Sequence, residues 1–396
     1  MKNATCGLDI ASTSACASVQ AADGAIVHEL QLPANPEGEN RLLALLPVGT
    51  AIFMESTGRY HLTWARRLST AGYPVYVLNA LLSKRLIGAA NALRQNKTDR
   101  IDARELARIG RLHAAELVTY RFCEDAGRLQ LRTLCQVRVQ QRRVMTDLLK
   151  SAGDLLGRML PGVELELAQN RGLAELLLKI DSFARLHRMR PATLQGYARS
   201  KTEALHTCLQ QPRVPEAIFH ALLPALQAQL RQIDSLRDAQ VTLTTEIRTS
   251  VVAVGRADEL ALVQTIPGYG PKTAPTLIAC LPVDLRSWGP KQKVARKIQA
   301  YFGCDPKLRE SGKWKGKVRM SKRGLELART ALFQAAVCAI MHDPTMKAAF
   351  QRKKTEGKFY LICVSHVMRL MLRRLVAVLY DRKPFVPLPL NPIPTS

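Results

Sequence analysis

One acid inside an apolar run fixes much of what the N-terminal part of this chain can become. From Thr5 the sequence reads Cys6-Gly7-Leu8-Asp9-Ile10-Ala11, followed by residues 15–20, a turn at Ala22-Asp23-Gly24, and residues 25–30. These are three short strands joined by a loop and a hairpin turn, an antiparallel opening to a sheet. A carboxylate within such a strand is costly unless it is exposed, paired or bound to a metal. A polar loop and a helix near residues 39–46 lead into the apolar run Ala51-Ile52-Phe53-Met54, which ends on Glu55 and passes into Ser56-Thr57-Gly58. Residues 59–71 have helical periodicity, 74–78 form another apolar strand, and 81–93 are helical again. Strand and helix alternate here as in an α/β domain.

The next stretch, Asn96-Lys97-Thr98-Asp99-Arg100-Ile101-Asp102-Ala103-Arg104, opens a helix running to about Leu112. Thr98 is suited to the N-cap, and Asp99 and Asp102, three apart, share one face closely enough to hold one cation. Alone, the pair reads equally well as acids complementing the helix dipole. With Asp9 and Glu55 it makes four carboxylates gathered from separated places. That is the plan of a ribonuclease-H-like nuclease domain, in which two magnesium ions hold the attacking and leaving oxygens of a phosphodiester.

Charge names the class of partner. The 396 residues carry 58 Lys and Arg against 32 Asp and Glu, a formal charge of +26, and residues 256–396 alone hold 26 basic and 9 acidic groups. Such an excess favours a polyanion, nucleic acid first. Nine cysteines without paired C-x-x-C spacing argue against zinc and for reduced thiols in a cytosolic protein. No basic-then-apolar leader opens the chain and no uncharged apolar run reaches membrane-spanning length, so a soluble cytoplasmic protein is expected.

Residues 119–255 change character. Met145, Leu148, Ala152, Leu155 and Met159 alternate steps of three and four, and a similar stripe runs from Leu226 to Ile247. Both are expected to be long amphipathic helices, packed as an antiparallel or intermolecular coiled coil. The last third opens with a helix, the turn Ile266-Pro267-Gly268-Tyr269-Gly270-Pro271-Lys272-Thr273, and a second helix, in the manner of a helix-hairpin-helix unit. In such a unit Gly268 and Gly270 let backbone N–H groups reach a phosphate, while Lys272 and Thr273 stand at the second helix's N-terminus. Residues 303–324 are expected to be a basic loop bearing Arg309, Lys313, Lys315, Lys317, Arg319, Lys322 and Arg323 around Ser311. From chemistry alone Ser311 is a loop-solvating hydroxyl, a phosphate ligand or a nucleophile toward phosphorus, with ligand the better reading. The expected division is 1–118, an α/β domain; 119–255, helical; 256–385, mainly α; and 386–396, a flexible tail.

Taken together, G-L-D-I-A around Asp9, M-E-S-T-G around Glu55, N-K-T-D-R-I-D-A, T-I-P-G-Y-G-P-K-T-A and E-S-G-K-W-K-G-K-V-R-M-S-K-R-G resemble the insertion-sequence-110 family of transposases. The resemblance covers both ends of the chain; the middle matches only as a helical region. It implies a DNA recombinase with a RuvC-like domain whose acidic tetrad (Asp9, Glu55, Asp99, Asp102) binds Mg²⁺, a coiled coil, and a transposase domain whose nucleophile is Ser311. It further implies a structured noncoding bridge RNA as guide, double-stranded DNA as substrate, and a homodimer or homotetramer. A metal nuclease or junction resolvase using water is the alternative enzyme. A basic nucleic-acid scaffold with structural acids is the non-enzymatic one.

Overall fold

Strands β1 (Thr5–Ile10), β2 (Ser14–Gln20) and β3 (Ile26–Pro33) pair antiparallel, and β4 (Ala51–Glu55) and β5 (Val75–Leu78) extend the sheet in parallel, giving the order β3-β2-β1-β4-β5. The computed structural model describes residues 4–90, 98–117, 120–162, 167, 170–307, 310–311, 314–315 and 319–387. It divides into two compact units, Met1–Ala126 and Gly127–Ser396. The sheet belongs to the first, and its three antiparallel strands followed by parallel crossovers make a RuvC-like topology. Helices α1 (Pro36–Leu45), α2 (His61–Thr70), α3 (Ala80–Ala90) and α4 (Asp99–His113) complete this unit.

Side chains alternate across a strand, so β1 sends Cys6, Leu8 and Ile10 to one face and Thr5, Gly7 and Asp9 to the other. The first set packs with Leu42 of α1 and with Trp64 and Leu68 of α2. The second set lies under α4, which approaches unusually closely. A Cβ at Gly7 would stand 2.0 Å from the Ala103 carbonyl oxygen and 2.4 Å from the Ala107 nitrogen. A Cβ at Gly110 would stand 2.1 Å from the Phe53 ring, which itself stacks on Tyr76 at 4.7 Å. Two glycines, one on the strand and one on the helix, thus let α4 lie directly on the sheet. Gln20 Nε2 donates to the Arg104 carbonyl at 2.9 Å, and Arg104 pairs with Glu29, fixing the helix against β2 and β3.

The second unit is helical. Two long helices, α5 (Ala126–Met159) and α10 (Glu216–Ala253), enclose the short α6 (Arg171–Lys179), α7 (Phe183–His187), α8 (Pro191–Ala198) and α9 (Thr202–Gln210). After them come α11 (Ala257–Gln264), α12 (Thr273–Cys280) and α13 (Lys291–Tyr301). Four two-residue strands follow, β6 (Pro306–Lys307), β7 (Glu310–Ser311), β8 (Trp314–Lys315) and β9 (Arg319–Met320), and then α14 (Glu326–His342), α15 (Pro344–Thr355) and α16 (Tyr360–Asp381). Gln240 Nε2 donates to the Arg138 carbonyl and Gln229 Nε2 to Ser151 Oγ, both at 2.9 Å, so α5 and α10 run antiparallel within one chain. No residue of α5 between Arg138 and Ala152, nor of α10 between Ile233 and Leu243, is buried. Within the chain the pair is therefore a strut with a core at each end, not a continuous apolar seam. One core gathers α6 to α9 around Leu156, Phe219 and Leu226; the other gathers α11 to α16 around α12.

Every residue of α12 is buried, and its C-terminal carbonyls are met by cations. Buried Arg256 donates to the carbonyls of Ile278 (2.6 Å) and Leu281 (3.1 Å) and pairs with Glu259, while Arg128 reaches Leu281 at 3.1 Å. Positive charge at a helix C-terminus is favourable, and here it also satisfies carbonyls that burial would otherwise strand. Among the described residues no helix is long and apolar enough to cross a membrane.

The seating of α4 yields a test. Gly7→Ala has no room and should lower the unfolding free energy by about 2–4 kcal/mol. Gly153→Ala on α5, with nothing within 4 Å of its added methyl, should be neutral or stabilising. Urea denaturation reads both, and an unchanged midpoint for the Gly7 variant would mean that α4 does not rest on β1.

Candidate active site

Strands β1 and β4 pair in parallel up to Leu8↔Met54, so the next residues, Asp9 near the end of β1 and Glu55 at the end of β4, come side by side. Asp9 shares a face with Gly7, and Glu55 with Phe53. That is the face covered by α4, and both carboxylates remain partly exposed at its edge. Above them α4 begins. The Thr98 hydroxyl accepts from the Ile101 N–H at 3.3 Å as N-cap, placing Asp99 and Asp102 in the first helical turn. Cys16, the cross-strand partner of Asp9, reports how close the groups lie. Burial pushes its thiol up, and Asp99 and then Asp9 push it further, against a smaller opposing pull from Arg100. The negative field of two of the acids therefore reaches one thiol. Glu55 is oriented from outside the set, accepting from Ser83 Oγ of α3 at 2.5 Å.

The donor chemistry suits a hard divalent cation. All four groups are carboxylates, and Cys16, held in its thiol form by the same negative field, does not compete as a soft ligand. Among the described residues no three His, Cys, Asp or Glu side chains converge on one metal position. Mutual repulsion favours such spreading of like charges.

The second candidate centre differs from its sequence reading. Residues 303–324 are not an open loop: Pro306 and Lys307 pair with Met320 and Arg319, and Glu310 and Ser311 pair with Lys315 and Trp314. Ser311 thus lies in the inner ladder of a hairpin, where backbone pairing places both it and Lys315. Glycines close the neck. Gly303 has φ +69°, and a Cβ on Gly324 would stand 2.0 Å from the Tyr301 carbonyl oxygen. Asp305 accepts from Ser321 Oγ and, at 2.9 Å, from Arg323. Arg323, expected on nucleic acid, is therefore engaged with the neck. Lys322 takes a left-handed φ of +54° and donates its N–H to the Gly303 carbonyl at 3.0 Å. Arg319 is exposed; Arg309, Lys313 and Lys317 lie outside the described residues.

The glycine turn also divides. A Cβ on Gly268 would meet the Ala335 carbonyl oxygen at 2.7 Å and the Ala339 Cβ at 2.8 Å, so close packing on α14 by itself requires a glycine here. Gly270 has nothing within 4 Å, and its N–H donates to Thr273 Oγ1 at 3.1 Å. Lys272 is exposed, while its carbonyl accepts from the buried Arg138 of α5, which also donates to Thr276 Oγ1 at 2.8 Å. Ser83, Asp305 and Arg138 were missed from sequence. No local pattern marks a residue whose role depends on a partner far away in the chain.

Comparison with known proteins places these centres in a family. One family model, described as a transposase, matches residues 6–161, and a second, described as the transposase IS116/IS110/IS902 family, matches residues 260–351. The insertion element IS900 uncharacterized 42 kDa protein of Mycobacterium paratuberculosis is 24% identical over 172 residues, which are 42% of this chain and 42% of that protein. The chain thus aligns with less than half the length of this curated relative. RuvC of T. thermophilus, solved in complex with a Holliday junction substrate, matches 30% of this chain and 99% of its own at 16% identity, with a TM-score of 0.23. So low a score carries no argument, and the strand order stands by itself. With one match over the acidic unit and another over the glycine turn and serine hairpin, the chain belongs to the IS110 family of transposases.

Proposed function

We propose that this chain cuts and rejoins DNA as the recombinase of an insertion sequence, through Ser311 and a Mg²⁺-binding tetrad of Asp9, Glu55, Asp99 and Asp102. One observation carries the reading: Asp9 and Glu55 stand at the same end of adjacent parallel strands, on the face covered by α4, whose first turn holds Asp99 and Asp102. Drawn together, the two strand acids and the two acids of the first turn of α4 would hold a divalent cation, which when bound neutralises charge developing on the phosphodiester oxygens. Ser83, by donating to Glu55, fixes one of the carboxylates in place.

In the proposed step Ser311 Oγ attacks phosphorus and loses its proton as the P–O bond to one strand end breaks. The products are a phosphoseryl ester and a free hydroxyl. Attack by the hydroxyl of another strand end reverses the step and releases the serine, so phosphodiester bonds are conserved. No histidine lies in residues 303–324, so the surrounding cations would favour loss of the serine proton, a base from elsewhere in the protein would take it, and the leaving strand end would end protonated as the free hydroxyl. A structured noncoding RNA is the proposed guide, and the exposed cations, with Lys272 and Arg319 among them, the proposed contacts to nucleic acid. Self-association would use the strut, where Val144 and Val241 are 46% and 68% exposed on a stripe the chain itself leaves uncovered.

Covalent trapping tests the chemistry. Wild-type chain, Mg²⁺, guide and DNA should give a denaturation-resistant protein–DNA adduct. Ser311→Ala should give none, and Asp9→Ala or Asp102→Ala should lose strand exchange while keeping nucleic-acid binding. Cleavage without adduct would mean that water attacks and Ser311 serves only as a phosphate ligand.

Two further outcomes are expected. Duplex binding should weaken by about a thousandfold between roughly 50 and 200 mM salt if about six phosphates are neutralised, and a flat response would separate the basic excess from nucleic acid. Because Asp99 and Asp9 raise the Cys16 thiol, Asp99→Asn or Asp9→Asn should lower the pH at which Cys16 is alkylated, as read by peptide mass spectrometry. A midpoint that stays put in both variants would take the acids away from the thiol.

A further inference from the structure

The turn between α15 and α16 exposes what a folded protein normally hides. Phe359, Tyr360, Leu361 and Ile362 are 82%, 55%, 64% and 48% exposed, four consecutive large apolar residues on the surface. They lie beyond residue 351, where the C-terminal family match ends, and none belongs to the serine hairpin or the glycine turn. Contiguous exposed apolar groups mark an interaction site.

The patch is held rigidly. Helix α15 ends on Gly357 at φ +71°, with the Gly357 N–H donating to the Lys354 carbonyl (3.0 Å) and the Lys358 N–H to the Lys353 carbonyl (3.2 Å). This is a Schellman closure. Its two usual apolar positions hold Lys353 and Lys358, so the turn is closed by cations. Phe359 follows as the N-cap of α16, its carbonyl accepting from the Ile362 and Cys363 N–H groups at 2.9 and 3.1 Å. Tyr360 packs edge-on against the buried Phe350 at 5.7 Å, which holds its ring upright. The Tyr360 ring and the backbone of Phe359 are therefore positioned before any partner arrives.

The surrounding charge decides the occupant. Arg352, Lys354 and Lys358 are exposed around the turn, and Lys353 is offset by Glu356 at 2.6–2.8 Å. The field of Arg369, Lys353 and Arg352 adds to burial in holding the nearby His366 below its ordinary range. A second copy of this chain would bring the same cations to the seam and be repelled. A partner with flat apolar faces on a polyanionic backbone fits both features.

We propose that the α15–α16 turn is a stacking platform for unpaired bases of a nucleic-acid strand, with Phe359 and Tyr360 taking the bases and Arg352, Lys354 and Lys358 the flanking phosphates. This rests on the reading that the chain acts on nucleic acid and adds a preference for unpaired over duplex segments. Bases in a duplex are already stacked and cannot reach such rings. DNA and RNA offer the same π-face, so the test separates them.

Fluorescence anisotropy with the full-length chain would measure binding to labelled single strands of DNA and of RNA and to the matching duplex at one salt concentration. Phe359→Ala with Tyr360→Ala should weaken single-strand binding about tenfold or more while leaving duplex binding within about twofold. Phe359→Trp should keep the wild-type affinity. The arm that loses more, DNA or RNA, names the natural strand. Unchanged single-strand affinity in the double variant overturns the proposal, as does equal loss on duplex and single strand. A changed sedimentation coefficient with intact single-strand binding also overturns it, and makes the patch a contact between copies. If wild-type chain binds duplex but no single strand, this inference alone fails; if it binds neither, the functional reading fails with it.

Discussion

The contact between Gly7 and Ala103 governs the first unit. A helix seated on a sheet through side chains leaves a gap that later mutations can widen or close; one seated through backbone has no such slack. Here the strand gives up a Cβ at the point of crossing and the helix gives one up at Gly110 for the Phe53 ring. Two residues along β1 from that crossing stands Asp9, and one residue before it on α4 stands Asp102. The spacing of the acids thus follows from a packing constraint that none of them takes part in. Arg104, one step along the helix, is fixed to Gln20 and Glu29, which prevents α4 from rolling about that point.

The second unit answers a different problem. Its largest core forms around α12, a helix with no solvent-facing side, and such a helix must find partners for its terminal polar groups within the protein. For the carbonyls at its C-terminal end arginines supply them. Arg138 meets the N-terminal end at the Lys272 carbonyl and the Thr276 hydroxyl, and Arg256 and Arg128 meet the C-terminal end. Burial pulls the Arg138 and Arg256 guanidiniums below their ordinary range, in the latter case against the opposing charge of Glu259. Part of the large basic excess is consequently structural, and the net charge overstates what is free to meet a polyanion.

What was legible in the sequence follows from which signals are local. Asp9 and Glu55 could be placed because strands have a period of two and end where their apolar runs end, and Asp99 and Asp102 because an N-cap threonine announces a first turn. The rhythm of runs and turns shows three antiparallel strands followed by alternating helices and strands, whereas the order β3-β2-β1-β4-β5 needs the pairing itself. The packing of Gly268 on α14 is not legible, because a glycine that admits a helix reads the same as one that admits a phosphate. The pairing around Ser311 reads as a loop because two-residue ladders are too short to leave an alternating pattern. Ser83 and Arg138 left no trace, since each acts on a residue far along the chain. The matched families support membership without reaching those details.

The strut joining the two cores of the second unit has a mechanical consequence. Its middle has no fully buried residue on either helix, so the two ends are connected by the ladder of helical hydrogen bonds, a few glutamine contacts and the half-buried Met145, Leu148 and Leu149. Amide protons there are shielded less than those at the ends and should exchange through local fraying, whereas those at the ends wait for a core to open. Each core can therefore loosen without dragging the other through a change of packing, and the unit behaves less like one cooperative block than like two weights on a shared spring.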